Sequence, residues 1–311
     1  MAKISTIGCG LIGQSWATVF AQYGYEVAMY DASPDVSEQA LRSIETRIAD
    51  LVEFDLIDAS QAAQVFNRIS FANTLESAVD GAVYVQESGP EQVDLKRDLT
   101  DSLDKLVTAG VPIGSSTSGI KASSYSANIS GRDRCLVVHP INPPHLIPAV
   151  EIVPSEWTDP GIVSTVKELL IKCGRETIVL NREVEGFVVN RLQGALLAEA
   201  FKLVTEGIVS GTDLDKAISH GLGMRWSFMG PMQTIHLNAP KGMAQYVERY
   251  GGMYDGFGLG PYDSSDWEKT VEEKLLGEFE QTIPVTAIPQ AQAKRDRKLM
   301  ALLRHKKSNP Q

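Results

Sequence analysis

Short apolar runs alternate with longer amphipathic stretches over the first 180 residues of the chain. Lys3–Ile7, Glu26–Tyr30, Ala82–Gln86, Val111–Ser115, Cys135–His139, Val150–Val153 and Thr177–Leu180 read as strands, each a short apolar run bounded by turn residues. Helical spacing of apolar positions fills most of the intervals, notably Leu11–Tyr23, Val93–Val107 and Pro160–Cys173. Ser33-Pro34 supplies an N-cap and a proline at the first helical position, and helix then runs towards Asp50, with more at Ala59–Val65. This alternation predicts an α/β domain built on a doubly wound parallel sheet. The rhythm changes after Leu180. From Glu185 onwards only long helical patterns remain, such as Val188–Glu206 and Thr212–His220, with Thr212 and Asp215 spaced as a capping box. The expected domains are therefore 1–183, α/β, and 184–311, all-α. Gly251–Pro261, five glycines in eleven residues, reads as a loop, and the basic stretch Lys294–Lys307 as the solvated face of a last helix.

The most specific local signal is the first strand and its turn. Gly8, Gly10 and Gly13, with Leu11 and Ile12 between them, form a G-x-G-x-x-G turn opening onto a helix. The first glycine permits the tight turn, the second lets backbone approach a diphosphate, and the third allows close helix–strand packing. The second strand ends in Asp31, eighteen residues after Gly13, placed to accept from a ribose 2′-hydroxyl and to repel a 2′-phosphate. No Arg or Lys follows before Arg42, so the expected cofactor is NAD rather than NADP. The N-terminal domain is thus of Rossmann type.

Composition narrows the class without changing this picture. With 43% hydrophobic and 22% charged residues over 311, the chain is an ordinary globular protein. No apolar run approaches the ~20 residues of a membrane helix. The N-terminus shows no basic, cleavable apolar segment, so a cytoplasmic location is expected. A net charge of −10 argues against a nucleic-acid partner. Three scattered cysteines, Cys9, Cys135 and Cys173, indicate neither a disulfide framework nor a metal site.

A nicotinamide cofactor takes hydride from a carbon whose hydroxyl must shed a proton. That chemistry asks for a near-neutral base, a carboxylate to orient it and donors to hold the oxygen. His139 ends a strand, where the ligand crevice of an open α/β sheet lies. Glu151 is a carboxylate within the apolar run Ala149–Val153, so it needs a partner, and His139 is the candidate. Gly114–Gly119 closes another strand in hydroxyls: Ser115 and Ser116 read as a capping turn, Ser118 as the group that holds a substrate hydroxyl. Asn190, in Glu185–Arg191, is either a helix cap or a cleft residue.

Taken together, the glycine turn, Ser115–Ser118, His139-Pro140-Ile141-Asn142-Pro143, Glu151 and Gly186-Phe187-Val188-Val189-Asn190-Arg191 resemble the 3-hydroxyacyl-CoA dehydrogenase superfamily. Glu206-Gly207-Ile208-Val209 and Gly221–Trp226 narrow the resemblance to its lambda-crystallin/L-gulonate 3-dehydrogenase branch. The resemblance implies His139 as base, Glu151 as its partner, Ser118 and Asn190 as substrate-positioning groups, and Glu91 and Lys96 as cofactor-binding. Without it, those last two read as solvated charges opening a helix. It also implies a homodimer through the helical domain. Arg225 separates the branch from the acyl-CoA enzymes: its guanidinium suits the free carboxylate of a small hydroxy acid, or else is an ordinary surface arginine. The same segment resembles L-carnitine dehydrogenase, where Trp226 would offer an aromatic face to a quaternary ammonium. Gly119, Lys121 and His145 depart from the gulonate pattern, all close to the expected pocket. The expected activity is NAD-dependent oxidation of the 3-hydroxyl of a small hydroxy acid. The alternatives are carnitine or 3-hydroxyacyl-CoA oxidation, or a non-catalytic crystallin-like or NAD-sensing role.

Overall fold

A computed structural model describes residues 1–53, 56–257 and 276–291, with Glu272, Lys294 and His305. Two compact units divide after Gln193.

The first unit is built on an eight-stranded sheet of order β3-β2-β1-β4-β5-β6-β7-β8. Its strands are β1 (Lys3–Ile7), β2 (Glu26–Tyr30), β3 (Ile69–Phe71), β4 (Ala82–Glu87), β5 (Ile113–Ser115), β6 (Cys135–Pro140), β7 (Ala149–Pro154) and β8 (Glu176–Val179). The helices are α1 (Leu11–Gln22), α2 (Pro34–Glu53), α3 (Ala59–Asn67), α4 (Leu75–Val79), α5 (Val93–Leu106), α6 (Ala122–Ser126) and α7 (Pro160–Lys172). One face of the sheet packs α1, with Trp16, Ala17 and Phe20 fully buried against Ile4, Met29 and Tyr84. Trp16 and Phe20 stack at 5.2 Å, as their i, i+4 spacing on one helix face permits. The other face packs α4 and α5 through Ala78, Val79 and Leu103.

The strands β3 to β6 run parallel, so the ends of β1, β2, β4, β5 and β6 share one edge. Two departures from the sequence expectation matter. β3 is only three residues long, too short for a periodic signal. The expected doubly wound sheet is parallel except at β7, which runs antiparallel to β6 and sets Glu151 directly opposite His139.

The second unit, as far as described, is helical. It continues α8 (Val189–Thr205) and holds α9 (Gly211–Lys216), α10 (Gly223–Trp226), α11 (Pro231–Leu237), α12 (Met243–Asp255) and a further helix at Leu276–Thr282. The α9 cap is Ser210, whose hydroxyl accepts from the amide of Asp213 at 3.1 Å, not Thr212. A π-type turn at Ala217–Leu222 then interrupts the expected helix. Gly251 and Gly252 lie inside α12 rather than in a loop. The rest of Gly251–Pro261 beyond Phe257, and nearly all of the basic stretch Lys294–Lys307, lie outside the described residues. The units part ten residues beyond the 183/184 boundary read from sequence, because 184–189 is tied to the sheet: Phe187 is buried with Tyr125 and Val137.

Candidate active site

The glycine turn closes only because Gly8 and Gly13 lack side chains. Gly8 has φ +99, and a Cβ there would lie 2.6 Å from the Ser88 carbonyl oxygen. A Cβ on Gly13 would sit 1.8 Å from the Gly8 carbonyl oxygen. A Cβ on Gly10 would meet no protein atom within 4 Å, so that position faces open space. Gly10 is the N-cap of α1 and offers no side-chain cap, and the first turn carries no acid. The amides of Leu11 and Ile12 at the positive end of a helix are therefore available to an anion. A cleft of about 480 Å³ opens beside this turn, lined in part by Tyr30, Asp31, Ala32, Ser88, Gly89 and Pro90. Asp31 is oriented at its rim: one oxygen accepts from Cys9 N at 2.8 Å, the other from Ser33 N at 3.0 Å. An open backbone cradle followed by a fixed carboxylate fits a dinucleotide.

Along the same edge, β5 ends in the turn that carries Ser118. Glu91 holds this turn: one of its oxygens accepts from the Thr117 hydroxyl at 2.5 Å, Ser118 N at 3.0 Å and Gly119 N at 3.1 Å. Lys96 is not a solvated charge. It is 2% exposed, its ammonium donates to both oxygens of buried Glu87 at 3.0 Å and lies 3.8 Å from Glu91. The Ser115 hydroxyl also donates to Glu87. The spacing of Lys96, Thr100 and Leu103, all buried on one face of α5, is a signal by which sequence alone would have placed Lys96 inward. Asn190 donates from its side-chain amide to the Ser118 carbonyl at 2.6 Å, so it joins the Ser118 turn.

His139 and Glu151 meet as expected, with Nδ1 2.7 Å from a carboxylate oxygen and both side chains nearly or wholly buried. The second Glu151 oxygen accepts from Val188 N at 2.7 Å and Val189 N at 3.0 Å. Gly186 (φ 72) and Phe187 (φ 53) turn the chain through left-handed backbone to aim those amides. A phenylalanine in that region is strained, and its burial 5.6 Å from the His139 ring helps hold it there. Burial by itself raises the Glu151 pKa. The His139 bond and the two amides outweigh it, and the carboxyl is held below its ordinary range. Glu151 is thus ionised at neutral pH and acceptor-only. The imidazole must donate from Nδ1, which leaves the Nε2 lone pair as a base.

The positions that depart from the gulonate pattern have other partners. Gly119 N donates to Glu91, Lys121 lies 3.5 Å from Glu185, and His145 Nδ1 lies 3.2 Å from the Ser15 hydroxyl. Burial, with Arg47 and Arg175 nearby, lowers the His145 pKa to about 4. Arg225 lies on α10 in the second unit, half-buried, without an ion pair or hydrogen bond from its guanidinium among the described residues.

A dinucleotide cradle on one edge of the sheet and a carboxylate-oriented histidine on the same edge define an NAD-dependent dehydrogenase. The chain belongs to the 3-hydroxyacyl-CoA dehydrogenase family: residues 3–184 match its NAD binding domain and 186–281 its C-terminal domain. It is 42% identical to lambda-crystallin of Oryctolagus cuniculus over 78% of this chain and 76% of that protein. It is 34% identical to L-carnitine dehydrogenase of Streptomyces coelicolor over 97% of this chain and 94% of the relative. Among solved structures it resembles 5-formyl-3-hydroxy-2-methylpyridine 4-carboxylic acid 5-dehydrogenase, an NAD+ dependent dismutase. There the TM-score is 0.73 and identity 29%, over 98% of each chain. It also resembles the 3-hydroxyacyl-CoA dehydrogenase of Archaeoglobus fulgidus, with TM-score 0.72 and identity 28%, over 98% and 99% of the two chains. No helix among the described residues is long and apolar enough to cross a membrane.

Proposed function

We propose that this enzyme oxidises the 3-hydroxyl of a small free hydroxy acid to the 3-keto acid, with L-gulonate the favoured substrate. The observation that carries the reaction is the buried His139–Glu151 pair, whose geometry leaves Nε2 as the proton acceptor. The likeness to lambda-crystallin supports the choice of gulonate. NAD supplies the hydride acceptor when bound. Gly8, Gly10, Leu11, Ile12 and Gly13 cradle its diphosphate and Asp31 takes the adenosine ribose. Glu91 serves the cofactor side of the site, with Lys96 acting on it from beneath. His139 removes the hydroxyl proton at Nε2, and Glu151 stabilises the imidazolium that forms. The Ser118 hydroxyl and the Asn190 amide position the reacting oxygen, and Arg225 takes the substrate carboxylate as a two-pronged partner.

L-carnitine is the second reading. It is favoured by a likeness that spans nearly the whole chain and by Trp226, 38% exposed beside Arg225 in sequence. A purely structural role leaves an oriented base and a cofactor cradle unexplained. The protein is further proposed to be a cytoplasmic homodimer. Its three cysteines are free and buried, in keeping with a reducing compartment. No residue of α8 is buried, and Leu192, Leu196 and Phe201 stand exposed along it.

The test is NADH formation with L-gulonate, L-carnitine, 3-hydroxybutyrate and 3-hydroxybutyryl-CoA, repeated with Arg225→Met. A free acid should win, and the variant should raise KM for the acid about tenfold or more while sparing the corresponding amide. Turnover of the CoA ester alone, or equal losses on acid and amide, removes the carboxylate clamp.

A further inference from the structure

Behind the cradle runs a chain of polar side chains that the reaction above does not use. Tyr84, fully buried, bonds Gln86 Oε1 through its hydroxyl at 2.5 Å. Gln86 Nε2 faces the Ser116 hydroxyl at 2.7 Å and the Val138 carbonyl at 3.4 Å. The Ser116 hydroxyl in turn lies 2.8 Å from the Ser88 hydroxyl, and Ser88 lines the cleft beside the glycine turn.

The direction of the first two bonds in this chain follows from its buried end. Val138 offers a carbonyl, which only accepts, so the amide nitrogen of Gln86 must face it and the amide oxygen must face Tyr84. Tyr84 therefore donates to Gln86, and Gln86 donates to Ser116. The two serines hold two hydroxyl hydrogens, and their mutual bond uses one. The other has no acceptor among the described residues. The half-buried hydroxyl pair therefore has one hydrogen to spare and can donate it to whatever fills the cleft.

We propose that the Ser88–Ser116 pair is a further cofactor-contacting element. It donates one hydrogen bond to an acceptor oxygen in the diphosphate–ribose half of the dinucleotide, with the hydrogen that the mutual serine bond leaves free. The topology selects that half. Asp31 ends β2 and Ser88 follows β4, on opposite sides of β1, so the dinucleotide runs from one to the other across the glycine turn. Ser88 Cβ lies only 3.7 Å from where a Cβ of Gly13 would be, against the turn itself. Ser115, the neighbour in the same hydroxyl turn, is spoken for by Glu87, which leaves the pair as a separate element.

The proposal rests on the cleft being the NAD site, and calorimetric titration of the full chain with AMP, ADP-ribose and NAD tests both. Ser88→Ala should weaken ADP-ribose and NAD about five- to tenfold and leave AMP unchanged. Ser88→Cys, which keeps the shape but has only a weak S–H donor, should follow it. The double variant Ser88→Ala/Ser116→Ala should lose no more than Ser88→Ala alone, since the two hydroxyls act as one donor. Wild-type affinity for ADP-ribose in both single variants overturns the proposal, as does an equal loss of AMP or additive losses in the double variant. A wild-type protein that binds AMP, ADP-ribose and NAD not at all overturns the cleft itself.

Discussion

Replacing Glu151 by glutamine tests the mechanism at its narrowest point, because the change alters one atom and reverses one bond. In the native site one carboxylate oxygen accepts from two backbone amides and the other accepts from His139. A glutamine can satisfy only one of these sides as an acceptor. If its oxygen faces His139, two buried amides confront an NH₂ group and are left unsatisfied, at about 1–3 kcal/mol each. If its oxygen faces the amides, a single imidazole position is mismatched, and the ring relieves that by moving its proton to Nε2. The second arrangement wins by about 2–6 kcal/mol, less the small cost of moving the ring proton, a factor of roughly thirty or more. Its consequence is a histidine with no lone pair at the reacting nitrogen. With loss of the charge that stabilised the imidazolium, kcat should fall by about 10²–10⁴. The assay is initial-rate NADH formation with the best acid of the substrate panel, alongside calorimetric NAD affinity, which should stay within about twofold. A kcat within threefold of wild type refutes the reasoning. So does a loss of NAD binding that matches the loss of rate, because the pair would then be structural. The same variant reads out stability. Since the folded carboxyl lies below its ordinary range, its contribution is present above that range and is lost as pH falls through the lowered folded value. The stability gap between wild type and Glu151→Gln should therefore shrink below about pH 4.5, measured by denaturant titration across pH 3–7.

Three further outcomes are expected. Asp31→Ser removes the carboxylate proposed to meet the adenosine ribose, and the NAD-over-NADP affinity ratio should fall at least about tenfold; an unchanged ratio places ribose recognition elsewhere. Gly13→Ala forces a Cβ to 1.8 Å from a backbone oxygen and should cost about 3 kcal/mol of stability along with NAD binding. A fully stable, NAD-competent variant contradicts the close-packing account. Phe201→Glu, on a side chain 69% exposed on α8, should convert the proposed dimer to monomer by light scattering without unfolding it; a dimer that persists moves the interface off this helix.

Seven of the eight strands were legible because each is a short apolar run between turn residues, whereas the three-residue β3 was too short to show; the glycine turn was legible because its backbone demands act within six residues. Asp31 and His139 followed as strand-end residues. Lys96 and Glu87 were harder, since a charged residue in an amphipathic helix reads as surface until its inward spacing is weighed against a partner nine residues away. Ser116, read as a capping hydroxyl, instead connects the core through Ser88 to the cleft beside the glycine turn.

What the amino-acid order determined by itself was local: the elements, the dinucleotide turn and the candidate base all depend on neighbours a few residues apart. The direction of β7 was not local. An apolar run has the same period whether it pairs parallel or antiparallel, so only the folded sheet decided that Glu151 would face His139 across the ladder. The same holds for the Phe187 turn that brings two amides to Glu151 and for the Tyr84–Gln86–Ser116–Ser88 chain. Their partners lie far apart along the polypeptide, and burial alone, by making an unpaired polar group costly, decides which of them must meet.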